Sequence, residues 1–279
     1  MWNSKHIFIH DYILLEKFLK NNLLPFLDKG SVDNYFYIRY WDGGPHIRLR
    51  YKLNTIEEEK KMEESLMKLL SEFKEDNCDY KFKLVTYNNA IVETENIKPS
   101  DIYPNLSIED IVYYPEFSRY GGVDVMEKSE NLFVSSSKFS SLIIQKFERN
   151  QIYSIAIDLM YGCARIANEC GYFDDYKTFF YAYRGIWEKF SGSITPPELK
   201  SAIKRRVSRL KEKNVTSEFY KSYFNDFKES LEYIKKNQKE IQPEYIMYIA
   251  ISHIHMFNNR LGISPEHEYM FSNSLLEIV

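Results

Sequence analysis

The sequence predicts an α+β fold, with an N-terminal antiparallel sheet and its helices packed on a mostly helical C-terminal half. Three observations predict it. Two runs of strand formers, Tyr35–Trp41 and His46–Leu53, flank the turn signal Asp42-Gly43-Gly44-Pro45. Beyond Gly121-Gly122, apolar residues recur at helical spacing to the C-terminus. No long flexible linker separates the two regions, so the chain reads as one domain over 1–279, with a mixed half at 1–122 and a helical half at 123–279.

Ile13, Leu14, Phe18 and Leu19 recur at helical spacing and predict a helix over 11–24 that ends near Pro25. The two strand runs then form a β-hairpin. Glu57 to Phe73 alternates charged and apolar residues at helical spacing. Phe82 to Val92 reads as extended chain, and 93–110, with Pro99 and Pro104, as a loop or insertion. Helices follow at 124–147, 151–169, 174–190, 198–213, 216–238, 243–259 and 265–277. Their breaks fall at Gly171, Ser191-Gly192-Ser193, Pro196-Pro197, Pro243 and Gly262. No repeat of fixed period is visible.

A hydrophobic share of 44% and a charged share of 28% are ordinary for a globular chain, and 279 residues can bury a core. The 23 Tyr and 19 Phe are unusual, but Lys, Asn and Ile are abundant beside them, which fits a compositional bias of the source. A net charge of −3 supplies no field to draw in nucleic acid, so any anion must meet a local basic cluster. The start lacks a basic segment followed by an apolar one, and no apolar run approaches the roughly 20 residues that cross a bilayer. Cys78, Cys163 and Cys170 form no CxxC pair; on a helix the last two lie two turns apart, as small core residues. These features predict a reducing, cytoplasmic setting.

Successive strand side chains point to opposite faces, so His46, Arg48, Arg50 and Lys52 share one face and Ile47, Leu49, Tyr51 and Leu53 the other. With Arg39 read beside it on the neighbouring strand, this row of cations needs acidic neighbours or an anionic ligand. Arginine suits a carboxylate because its planar fork donates two parallel hydrogen bonds. Alternation alone favours the plainer alternative, a solvated face with structural ion pairs.

Tyr114 to Gly122 is a turn-rich stretch in which two glycines let the backbone approach a ligand and Arg119 sits near a helix start; a pair of Arg119 with Glu116 is the plainer reading. Near the end, His255 and Asn259 face together one turn apart, with Met256 and Arg260 in the adjacent row, before the glycine stop at Gly262. His253, two residues from His255, points elsewhere, which argues against a helical two-histidine metal site. A lone histidine is more often structural than catalytic. Nucleotide-binding, hydrolase, zinc-protease and calcium-loop motifs are absent from the sequence, and no metal or cofactor is predicted. The basic stretch Lys200 to Lys213, with Ile203, Val207 and Leu210 as its apolar stripe, reads first as a solvated helix face, with a tRNA or partner contact as the lesser alternative.

In this order the three segments resemble the C-terminal elimination domain of lantibiotic dehydratases, which also occurs alone among thiopeptide-type bacteriocin biosynthesis proteins. The matching pieces are Tyr37-Ile38-Arg39-Tyr40 through His46-Ile47-Arg48-Leu49-Arg50, Pro115-Glu116 with Arg119-Tyr120-Gly121-Gly122, and His255-Met256 with Asn259-Arg260-Leu261. Trp2 and Glu130-Asn131-Leu132-Phe133 add to the likeness. It implies loss of glutamate from glutamylated serine and threonine of a ribosomal precursor peptide, leaving dehydroamino acids. Arg48, Arg50, Arg119 and His255 would be catalytic, with Arg39, His46, Tyr120 and Asn259 as substrate contacts. The implied partners are the peptide and a separate glutamyl-tRNA-dependent glutamylating protein, as in a split dehydratase, with a homodimer plausible and no cofactor, membrane or direct nucleic-acid contact. Two other readings stand beside this one: the family's ring-forming branch, which joins two dehydroalanines into a pyridine, and a non-catalytic subunit that docks an extended peptide on the hairpin edge.

Overall fold

The computed structural model describes residues 2–82, 84–96, 98–192, 196–213 and 218–279, with only the backbone described at 31, 95 and 210–213. The chain forms two compact units, one ending at Tyr114 and the other beginning at Pro115. The first holds the sheet and the second is helical, an α+β fold.

The first unit is built on a four-stranded antiparallel sheet of order β2-β3-β1-β4, with β1 Asn3–Phe8, β2 Asn34–Tyr40, β3 His46–Lys52 and β4 Ser107–Asp110. β2 and β3 are the expected hairpin, with Tyr40 opposite His46 and Asn34 opposite Lys52. Its turn takes Gly43 to φ +82° and Gly44 to φ +106°, which glycine adopts without a steric cost. A side chain at 44 would also strike His10.

β1 carries no alternation in its sequence because it is a central strand covered on both faces: Lys5, His6, Ile7 and Phe8 are all buried. β4 lies inside the stretch expected as a loop; an edge strand of four residues is too short to show a period.

The helix expected over 11–24 begins on time. Asp11 caps it, accepting the Ile13 and Leu14 N–H groups at 2.9 and 3.0 Å, and α1 spans Tyr12–Phe18. It does not stop at Pro25. The coil continues through a wide π-type turn, Leu19–Leu23, then Leu24–Phe26, then a second wide turn, Leu27–Ser31. In the first wide turn Leu24 N–H reaches back five residues to the Leu19 carbonyl. That looser winding accommodates a proline, which has no N–H to give and crowds the preceding turn of a regular helix.

α2, Ile56–Asp76, opens with a capping box in which Thr55 accepts Glu58 N–H at 3.2 Å and Glu58 accepts Thr55 N–H at 3.2 Å. Its stripe Met62, Leu66, Leu70 and Phe73 is buried, and Phe73 meets Phe18 edge-on at 5.2 Å. The extended reading of 82–92 fails in its second half. Asn88 caps Ala90 N–H at 3.0 Å and starts a short helix, α3 Asn89–Glu95; a local cap outweighs the β-branched residues there.

The second unit contains the seven expected helices: α4 Met126–Lys146, α5 Arg149–Glu169, α6 Tyr176–Ile186, α7 Pro197–Lys213, α8 Glu218–Asn237, α9 Met247–Leu261 and α10 Pro265–Leu276. The expected break at Ser193 and helix start at 216 lie outside the described residues. α9 packs on α4 and α5, α8 also lies against both, and α6 pairs with α10. α4 turns Ser129, Ser136, Ser137, Ser140 and Ser141 inward, small residues that let its neighbours approach. On α7, Ile203 and Val207 are fully buried, while the Leu210 side chain is outside the described set. Arg206 departs from the solvated-face reading: it grips the buried Asp158 of α5 with Nε and Nη2. No described helix is long and apolar enough to cross a membrane.

Candidate functional site

The cationic row on β3 is not a solvated face. His46 and Arg50 are buried and Arg48 and Lys52 half-buried, and aromatic rings line the row. The Arg48 guanidinium lies 3.4 Å from the centre of the Tyr40 ring, Arg50 sits 5.8 and 5.2 Å from Phe36 and Tyr113, and the Lys52 ammonium 4.3 Å from Trp2. Ring faces attract cations without neutralising them.

His46 completes this face as an acceptor. Its Nδ1 donates to the Gly44 carbonyl at 2.8 Å, so Nε2 is free to accept Arg48 Nε–H at 3.2 Å. Burial, reinforced by Arg48 and Arg50, pushes His46 down to about 3. His6 stacks on it at 4.9 Å and is pushed down to about 2 by burial, then by His46, Arg48 and Arg50. Near neutral pH the row therefore carries its charge on arginine and lysine, with unprotonated imidazoles between them.

Arg39 does not belong to this row. In the hairpin register it stands opposite Ile47, and directly opposed residues share a face, so it lies on the far side of the sheet from Arg48. There it pairs with Glu16. That face also holds Lys5, bonded to Glu63 at 2.8 Å, and the buried Ile7, Tyr37 and Leu49. Arg39 and Arg48 lie on adjacent strands joined by one turn, which makes them look like neighbours in the sequence; the register separates them.

In the second unit, Arg119 rides on a single 3₁₀ turn, Phe117–Tyr120, closed by Gly121 at φ +96°. Its Nη1 meets Glu116 at 3.0 Å, the expected local pair, and its Nε donates to Ser252 Oγ on α9 at 3.2 Å. Tyr120 turns inward against Phe133 at 4.8 Å and His253 at 4.9 Å. His253 is buried beside Ser129 and held down to about 3 by burial, then by Arg260 and Arg119. It belongs to the core, pointing away from His255 as the helical spacing predicts.

Ser252 is one turn before His255 on α9, so the bond to Ser252 seats Arg119 beside the histidine's own helix row. His255 is largely buried, with its side chain 15% exposed. Nδ1 faces Glu268 Oε1 at 2.9 Å, and the Trp187 ring lies 4.8 Å from the imidazole. Glu268, in the first turn of α10, is completely buried. Its Oε2 accepts the Tyr183 hydroxyl and Asn258 Nδ2, the latter at 3.3 Å. Among the described residues His255 Nε2 makes no hydrogen bond, and the buried Trp187 Nε1–H has no partner. Asn259, one turn beyond His255, gives its carbonyl to the Gly262 N–H at 3.0 Å in the helix stop.

Glu268, Ser252, Tyr183, Asn258 and Trp187 are not legible as site residues in the sequence. The one available signal for Glu268 is an acid in the first turn of the helix that begins just past the glycine stop of the histidine helix. The described residues contain no cluster of three or more His, Cys, Asp or Glu arranged to hold a metal ion. What unit two offers is an oriented imidazole with one open nitrogen and a guanidinium tethered to the same helix through Ser252; unit one offers a buried strand of arginines. Proton transfer and carboxylate binding are chemistries that groups of these kinds can perform.

The fold is a four-stranded antiparallel sheet followed by a helical unit, and the sequence assigns the chain to a family. The chain belongs to the lantibiotic biosynthesis dehydratase C-terminal family, whose model matches residues 2–279. Nisin biosynthesis protein NisB from Lactococcus lactis subsp. lactis is 24% identical over 256 residues, 87% of this chain and 22% of NisB. Epidermin biosynthesis protein EpiB from Staphylococcus epidermidis is 30% identical over 166 residues, 57% of this chain and 14% of EpiB. The chain thus spans about a fifth or less of the curated relatives it matches. Among solved structures, the fold is shared with TbtD, a pyridine synthase from thiomuracin biosynthesis, at TM-score 0.66 and 12% identity, over 99% of this chain and 97% of that one. It is shared too with MibB, a tRNA-dependent lantibiotic dehydratase from Microbispora sp. 107891, at TM-score 0.61 and 16% identity, over 99% of this chain and 28% of that one.

Proposed function

We propose that the protein eliminates glutamate from glutamylated serine and threonine side chains of a ribosomal precursor peptide, leaving dehydroalanine and dehydrobutyrine. The observation that carries this reading is the bond of Arg119 to Ser252, one turn from His255, which ties a guanidinium to the helix of the base. In the reaction His255 Nε2 takes the Cα proton of the modified residue. The electron pair forms the Cα=Cβ bond, the Cβ–O bond breaks, and glutamate leaves as a carboxylate. Arg119 stabilises the charge that grows during proton removal, and preorganised donors in a dry site are effective there. Arg48 and Arg50 take the carboxylates of the glutamyl group. His46, Tyr120 and Asn259 support binding, and Arg39, held by Glu16 on the other face, has no part in this assignment.

The partners under this reading are the precursor peptide and a protein that loads glutamate from tRNA, in the cytoplasm, with the chain active as a homodimer. The test is to supply a glutamylated precursor and follow it by mass spectrometry. Release of free glutamate with formation of the dehydroamino acid is expected, and His255→Ala and Arg48→Ala should accumulate the glutamylated peptide. A peptide that stays glutamylated overturns the proposal.

A second reading is favoured by the near-complete mutual coverage with the pyridine synthase. Joining two dehydroalanines expels no carboxylate, which leaves the arginines of β3 without an anion to bind. A peptide bearing two dehydroalanines and no glutamyl group separates the cases: ring formation supports the second reading, and an unchanged peptide supports elimination.

A further inference from the structure

We infer that Glu268 is the positioning residue of the His255 base, fixing the imidazole as the Nδ1–H tautomer so that the bare Nε2 faces the substrate. The chemical consequence rests on the elimination reading above; the tautomer does not. Glu268 accepts donors at both oxygens, with the Tyr183 hydroxyl and Asn258 Nδ2–H on Oε2 and His255 on Oε1. Asn258 Nδ2 also reaches the Tyr183 oxygen at 3.2 Å, and burial together with the Glu268 charge keeps the Tyr183 phenol protonated. An ionised carboxylate accepts hydrogen bonds and donates none, so the imidazole nitrogen facing Oε1 carries the proton. The site at the start of α10 suits a buried anion, because the free N–H groups of a first helical turn favour negative charge. Trp187 packs at 4.8 Å from the imidazole and limits its rotation.

This arrangement makes a sharp prediction for Glu268→Gln, which keeps the side chain's size and changes its donors. Tyr183 and Asn258 both donate toward Oε2, so the glutamine oxygen stays on their side. Its amide N–H₂ then points at His255 Nδ1. An N–H facing Nδ1 forces the proton to Nε2, and the base nitrogen is blocked. Glu268→Asp keeps a carboxylate and should keep the wild-type tautomer.

The experiment is ¹⁵N-resolved imidazole spectroscopy of His255 in the full chain at about pH 8, assigned by comparison with His255→Gln, alongside kinetics on glutamylated peptide. The wild type and Glu268→Asp should show Nδ1–H, and Glu268→Gln should show Nε2–H. For Glu268→Gln, kcat for glutamate release should fall about 100-fold or more with KM within about threefold, because a wrongly protonated base still binds substrate. Should Glu268→Gln fail to fold, the wild-type spectrum and Glu268→Asp decide the matter alone. An Nε2–H signal in the wild type, an unchanged tautomer in Glu268→Gln, or a wild-type kcat in that variant each overturn the inference. A wild type with Nδ1–H that releases no glutamate instead overturns the elimination reading and leaves the positioning role of Glu268 standing.

Discussion

Arg48 lies flat enough on Tyr40 to bring its guanidinium carbon within 3.4 Å of the ring centre, while its Nε–H is taken by His46 Nε2 at 3.2 Å. One edge of the fork is thereby anchored and one face covered, which fixes its direction. Lysine keeps the charge but neither stacks nor presents a fork. Arg48→Lys should lower the rate of glutamate release about 10- to 100-fold with the unfolding midpoint little changed. Tyr40→Phe, which keeps the ring, should be near neutral, whereas Tyr40→Leu should cost part of the same effect, since an aromatic–cation contact of this kind contributes about 0.5–2 kcal/mol. Single-turnover mass spectrometry of the peptide distinguishes the three, and equal rates for Arg48→Lys and wild type would remove Arg48 from the site.

Three buried imidazoles set the response to acid. Burial lowers His6 to about 2 and His46 and His253 to about 3, from an ordinary 6.5. Below pH 6.5 the unfolded chain binds protons that the folded chain refuses, so stability is full above that value and falls as pH drops through the window toward 3. At pH 5 each refused proton costs about 2 kcal/mol. Urea unfolding at pH 7 and pH 5 should therefore differ by several kcal/mol, at a pH where ordinary carboxylates are still mostly ionised. Equal stability at the two pH values would mean that these rings accept protons in the folded state.

Asp158 and Arg206 form an unequal pair: the carboxylate is 2% exposed and the guanidinium side chain 43%. Asp158 also accepts the Tyr220 hydroxyl at 2.7 Å. Removing the arginine leaves a buried charge with a single phenol for company, whereas Asp158→Asn keeps an acceptor for that phenol and needs no counter-charge. Arg206→Ala should thus destabilise by about 2–3 kcal/mol, less than a wholly buried pair because Arg206 already meets water. Asp158→Asn should cost about half as much. Chemical denaturation gives the order, and a reversed order would show that the pair is held by packing rather than charge.

The parts of the fold that could be read in advance are those set by local geometry. The β2–β3 hairpin is marked by two glycines where the turn needs positive φ, and the seven helices of the second unit by a 3.6-residue period with glycine or proline stops. β1 escaped because burial on both faces erases alternation, and Pro25 misled because a π-type turn absorbs what would break an α-helix. The site shows the same divide. A period of two sets Arg48 and Arg50 on one face, but the face of Arg39 depends on register across the turn, which puts it opposite Ile47. His255 stood out in the sequence, but Glu268 lies beyond a helix stop, where spacing within one helix has nothing to say.

Gly122 tests how firmly Arg119 must be held. Its backbone, at φ +103° and ψ 176°, lies in a region that essentially only glycine occupies, and its N–H bonds the Phe117 carbonyl at 2.8 Å, closing the turn that carries Arg119. A Cβ there would sit 2.5 Å from Glu240 Cδ and Oε1, and Glu240 in turn accepts Val123 N–H at 3.2 Å. Two terms thus oppose Gly122→Ala. The clash is the smaller, because Glu240 is exposed and its side-chain end can swing into water. The backbone conformation is the larger, at about 1–3 kcal/mol, and no rearrangement of a neighbour relieves it. Gly122→Ala should lower the thermal midpoint by a few degrees and cut glutamate release at least about tenfold, as the turn opens and the Arg119–Ser252 bond loosens. Adding Glu240→Ala should leave both losses in place, since it removes only the clash. Full recovery in the double variant would show that the contact with Glu240, rather than the backbone at Gly122, is what holds the arginine in position.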